Sequence, residues 1–323
     1  MNSIVLPKLY CPFPSAVNKH AESLHQHTIE WVRKFNLISD EAAYQRFCKS
    51  KFALMNAYTY PDATFTEVKL LSDWHVWLFI LDDQLDEADI GKKPELLAAF
   101  NTQLLNVLKG VDTAQQIGSL GAALEDIRQR MIQRKPSGFL MNRFIHSMEE
   151  SLTAAVWEAK NRVRATIPDV ATYIKMRAAT SGFPSILALM SITRQIELPP
   201  EVLNHEDIQH LALMANNVIC WANDIISFDK EMRAGDVHNL ALTLQHEHQC
   251  TLQEAIQRAA ELHDNEVRAF IKLETNLPSF SFGKDVDYQL KRYVSSLRSW
   301  IRGSLTWHYM SGRYKLAEGE LDK

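Results

Sequence analysis

In the run NDIISFDKE, Asn223, Ser227 and Glu231 stand four residues apart and then four again. On a helix each such step advances about 400°, a drift of only roughly 40°, so the three side chains line one stripe. Their amide, hydroxyl and carboxylate oxygens form a hard donor set. Mg²⁺ takes such sets while keeping positions open for water and phosphate oxygens. Far upstream, the run DDQLDE supplies Asp82, Asp83, Asp86 and Glu87. Asp82 and Asp86 fall on one helical face and Asp83 and Glu87 on the next, so four carboxylates repel one another unless cations are present. Two such clusters facing each other would hold a diphosphate through several metal ions.

Each cluster taken alone also has a plain reading. DDQLDE reads as a solvated acidic helix end about as readily as a metal site, and Asn, Ser and Glu at this spacing decorate many helix surfaces. Context separates the two readings. DDQLDE follows WHVWLFIL, a stretch apolar on all sides and therefore buried among other helices. The second motif follows Val218, Ile219, Cys220, Trp221 and Ala222 in the same way. Polar clusters emerging from two buried helices mark the rim of a cavity.

The elements that must position these clusters are helical. Apolar residues recur at helical spacing almost throughout, with breaks at Pro, Gly or polar clusters. The pattern predicts helices over 18–37, 40–58, 64–87, 94–108, 112–134, 138–164, 169–180, 184–196, 206–233, 237–247, 252–275 and 284–313. No strand or hairpin signal appears. Ser39 before DEAAYQRF, Pro94 at a first helical position, and Thr251 with Glu254 in a capping box are start signals. Gly182-Phe183-Pro184 interrupts what would otherwise be one long helix. Without a repeat or a Gly/Ser linker, the expectation is one all-α domain over 1–323, with 1–17 as an N-terminal segment and 314–323 as a C-terminal tail.

Composition sets the outer limits. The 323 residues are 46% hydrophobic and 23% charged, an ordinary globular profile, and only 11 Gly and 11 Pro punctuate them. A net charge of -4 argues against a nucleic-acid surface. A small anionic substrate stays compatible with it, since metals and a few local cations overcome a weak background. Cys11, Cys48, Cys220 and Cys250 show no CxxC spacing and read as free thiols in a reducing compartment. The segment MNSIVLPKLYCPFP has no signal-peptide pattern, and the longest unbroken apolar run, residues 76–81, is too short to span a bilayer. The expectation is a cytoplasmic protein with no nucleic-acid partner and no stable membrane insertion. Its oligomeric state is open, a homodimer being one option.

With these motifs in order, the chain resembles the bacterial class I terpene synthases. DDQLDE is similar to their aspartate-rich motif, and Asn223-Asp224-xx-Ser227-xxx-Glu231 to their second metal motif. Arg177 in YIKMRAATSG resembles the arginine that senses diphosphate, and Arg313-Tyr314 in WHYMSGRY the C-terminal Arg-Tyr pair. The order and spacing fit over nearly the whole chain. The resemblance implies an antiparallel α-helical bundle around a central apolar pocket, open at the end where both metal motifs lie.

It also implies roles, position by position. Asp82 would bind two Mg²⁺ ions with help from Asp86 or Glu87, while Asp83 would orient basic residues more than bind metal directly. Asn223, Ser227 and Glu231 would chelate a third Mg²⁺. Arg177, Lys230 and Arg313 would contact diphosphate, and Tyr314 would donate a hydrogen bond to it. Many relatives carry two adjacent arginines where this chain has Arg177-Ala178, and Asp or Gly where it has Thr180 and Ser181 before Gly182. Ser181 is the candidate for substrate sensing there. Pocket aromatics that could face a carbocation are Trp77, Phe79, Trp221 and, foremost, Trp307 on the last helix.

The chemistry so implied is ionisation of a linear prenyl diphosphate, most naturally the fifteen-carbon farnesyl diphosphate, followed by cyclisation to a sesquiterpene. The ten-carbon geranyl and twenty-carbon geranylgeranyl diphosphates are alternative substrates. A chain-elongating prenyltransferase shares the fold but resembles a pattern with two aspartate-rich motifs, and a helical lipid-binding scaffold would not need every metal ligand type. The 12 histidines form no HExxH pattern, and His238 reads as structural. No DxDD element is present, so protonation-initiated cyclisation is not indicated.

Overall fold

Short polar side chains start several of the helices. In the computed structural model, which describes residues 4–87, 89–111, 117–278, 280 and 282–314, the Asp40 carboxylate accepts from the Ala43 N–H, 2.7 Å away, at the head of α2 (Glu41–Ser50). Asp169 does the same for Thr172 N–H at α8 (Val170–Thr180). Thr251 and Glu254 form a reciprocal capping box at α13 (Leu252–Thr275). Each cap satisfies a backbone donor that the helix itself leaves free, which stabilises by about 1 kcal/mol.

All regular secondary structure among the described residues is helical, with no strand. Besides those above, the helices are α1 (Ala21–Lys34), α3 (Phe52–Thr59), α4 (Phe65–Glu87), α5 (Pro94–Lys109), α6 (Ser119–Gln133), α7 (Gly138–Arg164), α9 (Phe183–Arg194), α10 (Pro200–Leu203), α11 (Glu206–Ala234), α12 (Leu240–His248) and α14 (Lys284–Met310). The expected helix over 40–58 is two, because Lys51 takes a left-handed conformation (φ 51°) between α2 and α3. At that kink the carbonyls of Ser50 and Lys51 both accept from the Trp307 indole N–H of α14, the Lys51 carbonyl while also accepting from the Leu54 N–H. The last helix ends at Met310, short of residue 313, and α10 was not foreseen. Of the stretch expected over 112–134, residues 112–116 lie outside the described ones.

Two helices carry the motifs, and both are deeply set. α4 packs against α1, α3, α6 and α9, and buries Leu70, Leu71, Trp74, Val76, Trp77, Ile80 and Leu81. Each such side chain contributes roughly 1.5–3 kcal/mol through burial. The indole N–H of Trp74 donates to Ser185 Oγ and that of Trp77 to the Leu120 carbonyl, so neither ring is free to leave the core. α11 packs against α8, α13 and α14. By length and composition α11 is the one described helix apolar enough to cross a membrane, yet 67% of its most apolar window is buried inside the protein. α14 approaches α3 closely enough that a Cβ at Gly303 would meet the Tyr58 backbone at 2.6 Å, so only glycine fits there.

Candidate active site

Between α3, α4, α7, α11, α14 and the α8–α9 junction lies a cavity of about 220 Å³, lined chiefly by apolar side chains. This exceeds the roughly 150 Å³ of an apolar cavity known to take up benzene, so a larger hydrocarbon can enter. Phe79, Phe183 and Trp300 form its aromatic wall, and Asp82, Arg177 and Asn223 also face it.

On α11 the three oxygen donors share one stripe. Ser227 Oγ lies 2.6 Å from Glu231 Oε1 and 2.6 Å from the Asn223 carbonyl. Asn223 Oδ1 accepts from Arg177 Nη2 at 3.0 Å, while its Nδ2 donates to the Tyr314 hydroxyl at 3.0 Å and lies 3.2 Å from His308 Nε2. Glu231 Oε2 accepts from Asn239 Nδ2 at 2.8 Å. The next carboxylate, Asp224, points away from this stripe. It is buried and fully used by the Tyr173 hydroxyl (2.6 Å), Arg177 Nε (3.1 Å) and the Leu240 N–H (3.2 Å). Burial alone would lower the Arg177 guanidinium, but Asp224 outweighs it and keeps the group charged.

At the C-terminal end of α4, Asp83 is held by Arg313 through two hydrogen bonds, 3.0 Å to Nη1 and 2.8 Å to Nη2. Burial would raise the Asp83 carboxyl, yet the Arg313 bonds and charge, with Lys230 adding to them, hold it below the ordinary carboxylate range. Asp82 sits in the opposite situation. Desolvation by the protein around it and the charge of Asp83 raise its carboxyl, although the side chain still reaches solvent. Lys230 is lowered by its surroundings and by Arg313, and its charge acts on both aspartates. Asp86 and Glu87 occupy the last turn of α4, and their side chains lie outside the described ones.

The break between α8 and α9 borders the cavity. Gly182 adopts φ 69°, and Ser181 Oγ donates to the Ala178 carbonyl and accepts from the Phe183 N–H. Asn216 Nδ2 and Ser151 Oγ donate to the carbonyls of Ala178 and Ala179, each at 2.7 Å, and so fix the end of α8 in place.

Three expected pocket aromatics belong to the core. Trp307 is fully buried, its N–H held by the Ser50 and Lys51 carbonyls, so its ring lies behind Phe52 and Phe79 and not at the cavity surface. Trp77 stacks on Trp74, and Trp221 packs into a second core among α8, α11, α12 and α13. Trp300, one helical stretch before Trp307, takes the place at the wall. Sequence reasoning also missed Asn239, Tyr173 and His308. Asn239 alone left a legible trace, as the polar residue before the apolar start of α12, where it caps Ala241 N–H.

The donor set suits a divalent cation. Burial and Asp224 push the Glu231 carboxyl up to about 7 against the hydrogen bonds of Asn239 and Ser227, and Asp82 is raised as well. Both are oxygen donors short of positive charge, which a hard cation would supply. Among the described residues no three His, Cys, Asp or Glu groups could hold a metal by themselves. The α11 stripe differs in mixing amide, hydroxyl and carboxylate.

Residues 73–269 match the family model described as terpene synthase family 2, C-terminal metal binding. The chain belongs to the terpene synthase family. It is 40% identical to germacrene A synthase of Nostoc punctiforme over 97% of this chain and 96% of that protein. To the (+)-T-muurolol synthase of Roseiflexus castenholzii, named as farnesyl diphosphate cyclizing, it is 37% identical over 95% and 93%. The germacradien-4-ol synthase from Streptomyces citricolor shares the fold with a TM-score of 0.84 at 22% identity, covering 94% of this chain and 98% of that one. As a terpene synthase this protein is a lyase acting on prenyl diphosphates, and divalent-metal dependence comes with the family. The fold is the antiparallel helical bundle of the class I enzymes.

Proposed function

We propose that this terpene synthase converts farnesyl diphosphate to a cyclic sesquiterpene and diphosphate, using three Mg²⁺ ions. The observation that carries this reading is the α11 stripe of Asn223, Ser227 and Glu231, whose first member, Asn223, lines the same apolar cavity as Asp82. The relatives named for germacrene A and T-muurolol formation support the fifteen-carbon substrate. Asp82, with Asp86 or Glu87, would hold two ions, and Asn223, Ser227 and Glu231 the third. Bound ions would supply Lewis-acid stabilisation of the charge that develops on the diphosphate.

The chain's own groups do the rest. Arg177, Lys230 and Arg313 offer positive charge to the diphosphate, and the two guanidiniums present planar donor pairs that an ammonium lacks. Tyr314, now bonded by Asn223, has a hydroxyl at the same rim to donate. Ser181 at the α8–α9 break is the residue through which substrate is sensed, a role supported by its contacts on both sides of the break. Phe79, Phe183 and Trp300 give the carbocation chain an inert wall whose ring faces favour positive charge. The chain acts as one domain in the cytoplasm.

The test is incubation of the purified protein with ten-, fifteen- and twenty-carbon prenyl diphosphates and Mg²⁺, with and without isopentenyl diphosphate. Diphosphate release and volatile products are measured together. Farnesyl diphosphate alone should give cyclic fifteen-carbon products. Products formed only with isopentenyl diphosphate, and longer by five carbons, would mark an elongating enzyme instead.

A further inference from the structure

His75 stands seven residues before Asp82, outside the metal and diphosphate motifs, and lines the cavity. The residue is buried, and its ring packs against Phe79 and Trp300 with centroids 5.0 and 5.2 Å away. Its Nδ1 lies 3.3 Å from Asn56 Oδ1. Asn56 in turn donates from Nδ2 to the Phe52 carbonyl at 3.1 Å. A reversed amide would set two carbonyl oxygens against each other, so Oδ1 is the atom that faces His75. An amide oxygen only accepts, which puts the imidazole proton on Nδ1. Burial, with His308 nearby, pushes the ring down to about 3, so it is neutral. The lone pair is therefore on Nε2, and among the described residues no donor is hydrogen-bonded to that nitrogen.

Resting on the cyclase reading above, we propose that His75 is the base that ends the reaction by removing a proton from the last carbocation, so that the product leaves as a hydrocarbon. In that step a C–H bond beside the cationic carbon breaks, its electron pair closes a C=C bond, and Nε2 takes the proton. An alkyl cation is a far stronger acid than any imidazolium, so a weakly basic ring suffices. The imidazolium formed lies against Phe79 and Trp300, whose ring faces favour a cation. It returns the proton to water when the cavity opens.

Other polar groups at the wall are less suited. The second imidazole, His308, has Nε2 engaged by Asn223 Nδ2 at 3.2 Å. The Cys220 thiol is pushed up to about 11 by burial and stays protonated. Ser151 donates to the Ala179 carbonyl.

The experiment compares wild type with His75→Phe on farnesyl diphosphate and Mg²⁺, reading diphosphate release, carbon skeleton and mode of termination. Wild type should give mainly a hydrocarbon. The variant should release diphosphate within about fivefold of wild type and keep the skeleton. The share of the original double-bond isomer should fall at least about tenfold in favour of other alkenes or an alcohol. An unchanged terminal product, or a new skeleton ended in the old way, would overturn the proposal in favour of packing. An alcohol as the main wild-type product would also overturn it.

Absence of diphosphate release from wild type would defeat the cyclase reading itself, whereas release with unaltered termination defeats only the role of His75. Should the variant fail to fold, ¹⁵N spectra of histidine-labelled wild type with Mg²⁺ and inorganic diphosphate decide. A neutral His75 protonated on Nδ1 is expected, and a proton on Nε2 would refute it.

Discussion

Arg313 reaches back across 230 residues of sequence to grip both carboxylate oxygens of Asp83. Its guanidinium also lies over the rings of Phe52 and Phe79, 5.5 and 5.1 Å from their centroids. The residues after α14 are thus tied at once to the acidic end of α4 and to the aromatic layer beside the cavity. Asp83 is consequently a holder of arginine in this arrangement, while Asp82 next to it faces the cavity.

The Arg313 pair gives a pH signature. The Asp83 carboxyl titrates below its unfolded value of about 3.9. Its contribution to stability is therefore present above that value and lost as pH falls through the folded one. Wild type should be more stable than Asp83→Asn near neutrality, and the gap should close below about pH 4. Because the Asp83 side chain is 40% exposed, the gap should not exceed about 1 kcal/mol. Urea denaturation at a series of pH values measures it, and a gap independent of pH would remove the charge argument.

On the reading proposed above, the stripe on α11 serves through its oxygen atoms. Asn223→Ala and Glu231→Ala should each lower diphosphate release at least about 100-fold while far-UV circular dichroism stays unchanged. Near-native turnover in Glu231→Ala would exclude its carboxylate from the metal site. Asp82→Ala should be at least as damaging.

For the wall aromatics, Trp307→Ala should cost roughly 3–5 kcal/mol of stability, since a fully buried indole with a satisfied N–H is lost. Its surviving activity should give the wild-type product ratio. Trp300→Phe should do the reverse, altering products with a smaller loss of stability, because Trp300 touches the cavity. Calorimetry and gas chromatography on the same samples separate the two, and a changed product ratio in Trp307→Ala alone would return that ring to the wall.

The periodicity that exposed the helices says which residues are apolar but not which neighbour each one meets. α7 and α13 match their expected bounds because a Ser137 cap, a Thr251 capping box and flanking turns mark both ends. The Lys51 break escaped notice because a left-handed lysine carries no sequence mark, and its stabilising partner, Trp307, is distant in the chain. The same hydrogen bonds explain why Trp307 was misplaced. An aromatic near Arg313 reads as a pocket residue until the acceptors for its N–H are seen. The α11 stripe was legible because a four-residue repeat on one helix needs no tertiary information. Asn239, which holds Glu231, was not, since it lies beyond the helix end where spacing no longer fixes direction.

Gly182 joins two requirements at one position. Its φ of 69° belongs to the left-handed region, where a side chain costs about 1–2 kcal/mol. A Cβ there would also press on Leu78 Cδ1 at 3.3 Å, and Leu78 lines the cavity. The Gly182 carbonyl meanwhile accepts from Ser185 Oγ at 2.6 Å, and Ser185 Oγ receives the Trp74 N–H, so the backbone here cannot turn freely to relieve the strain. Gly182→Ala should therefore lose about 1–2 kcal/mol of stability. The displaced Leu78 should narrow the cavity and change the product ratio. A variant with unaltered stability would show that the α8–α9 break readjusts, and one with lower stability but an unaltered product ratio would show that Leu78 does not shape the reacting chain.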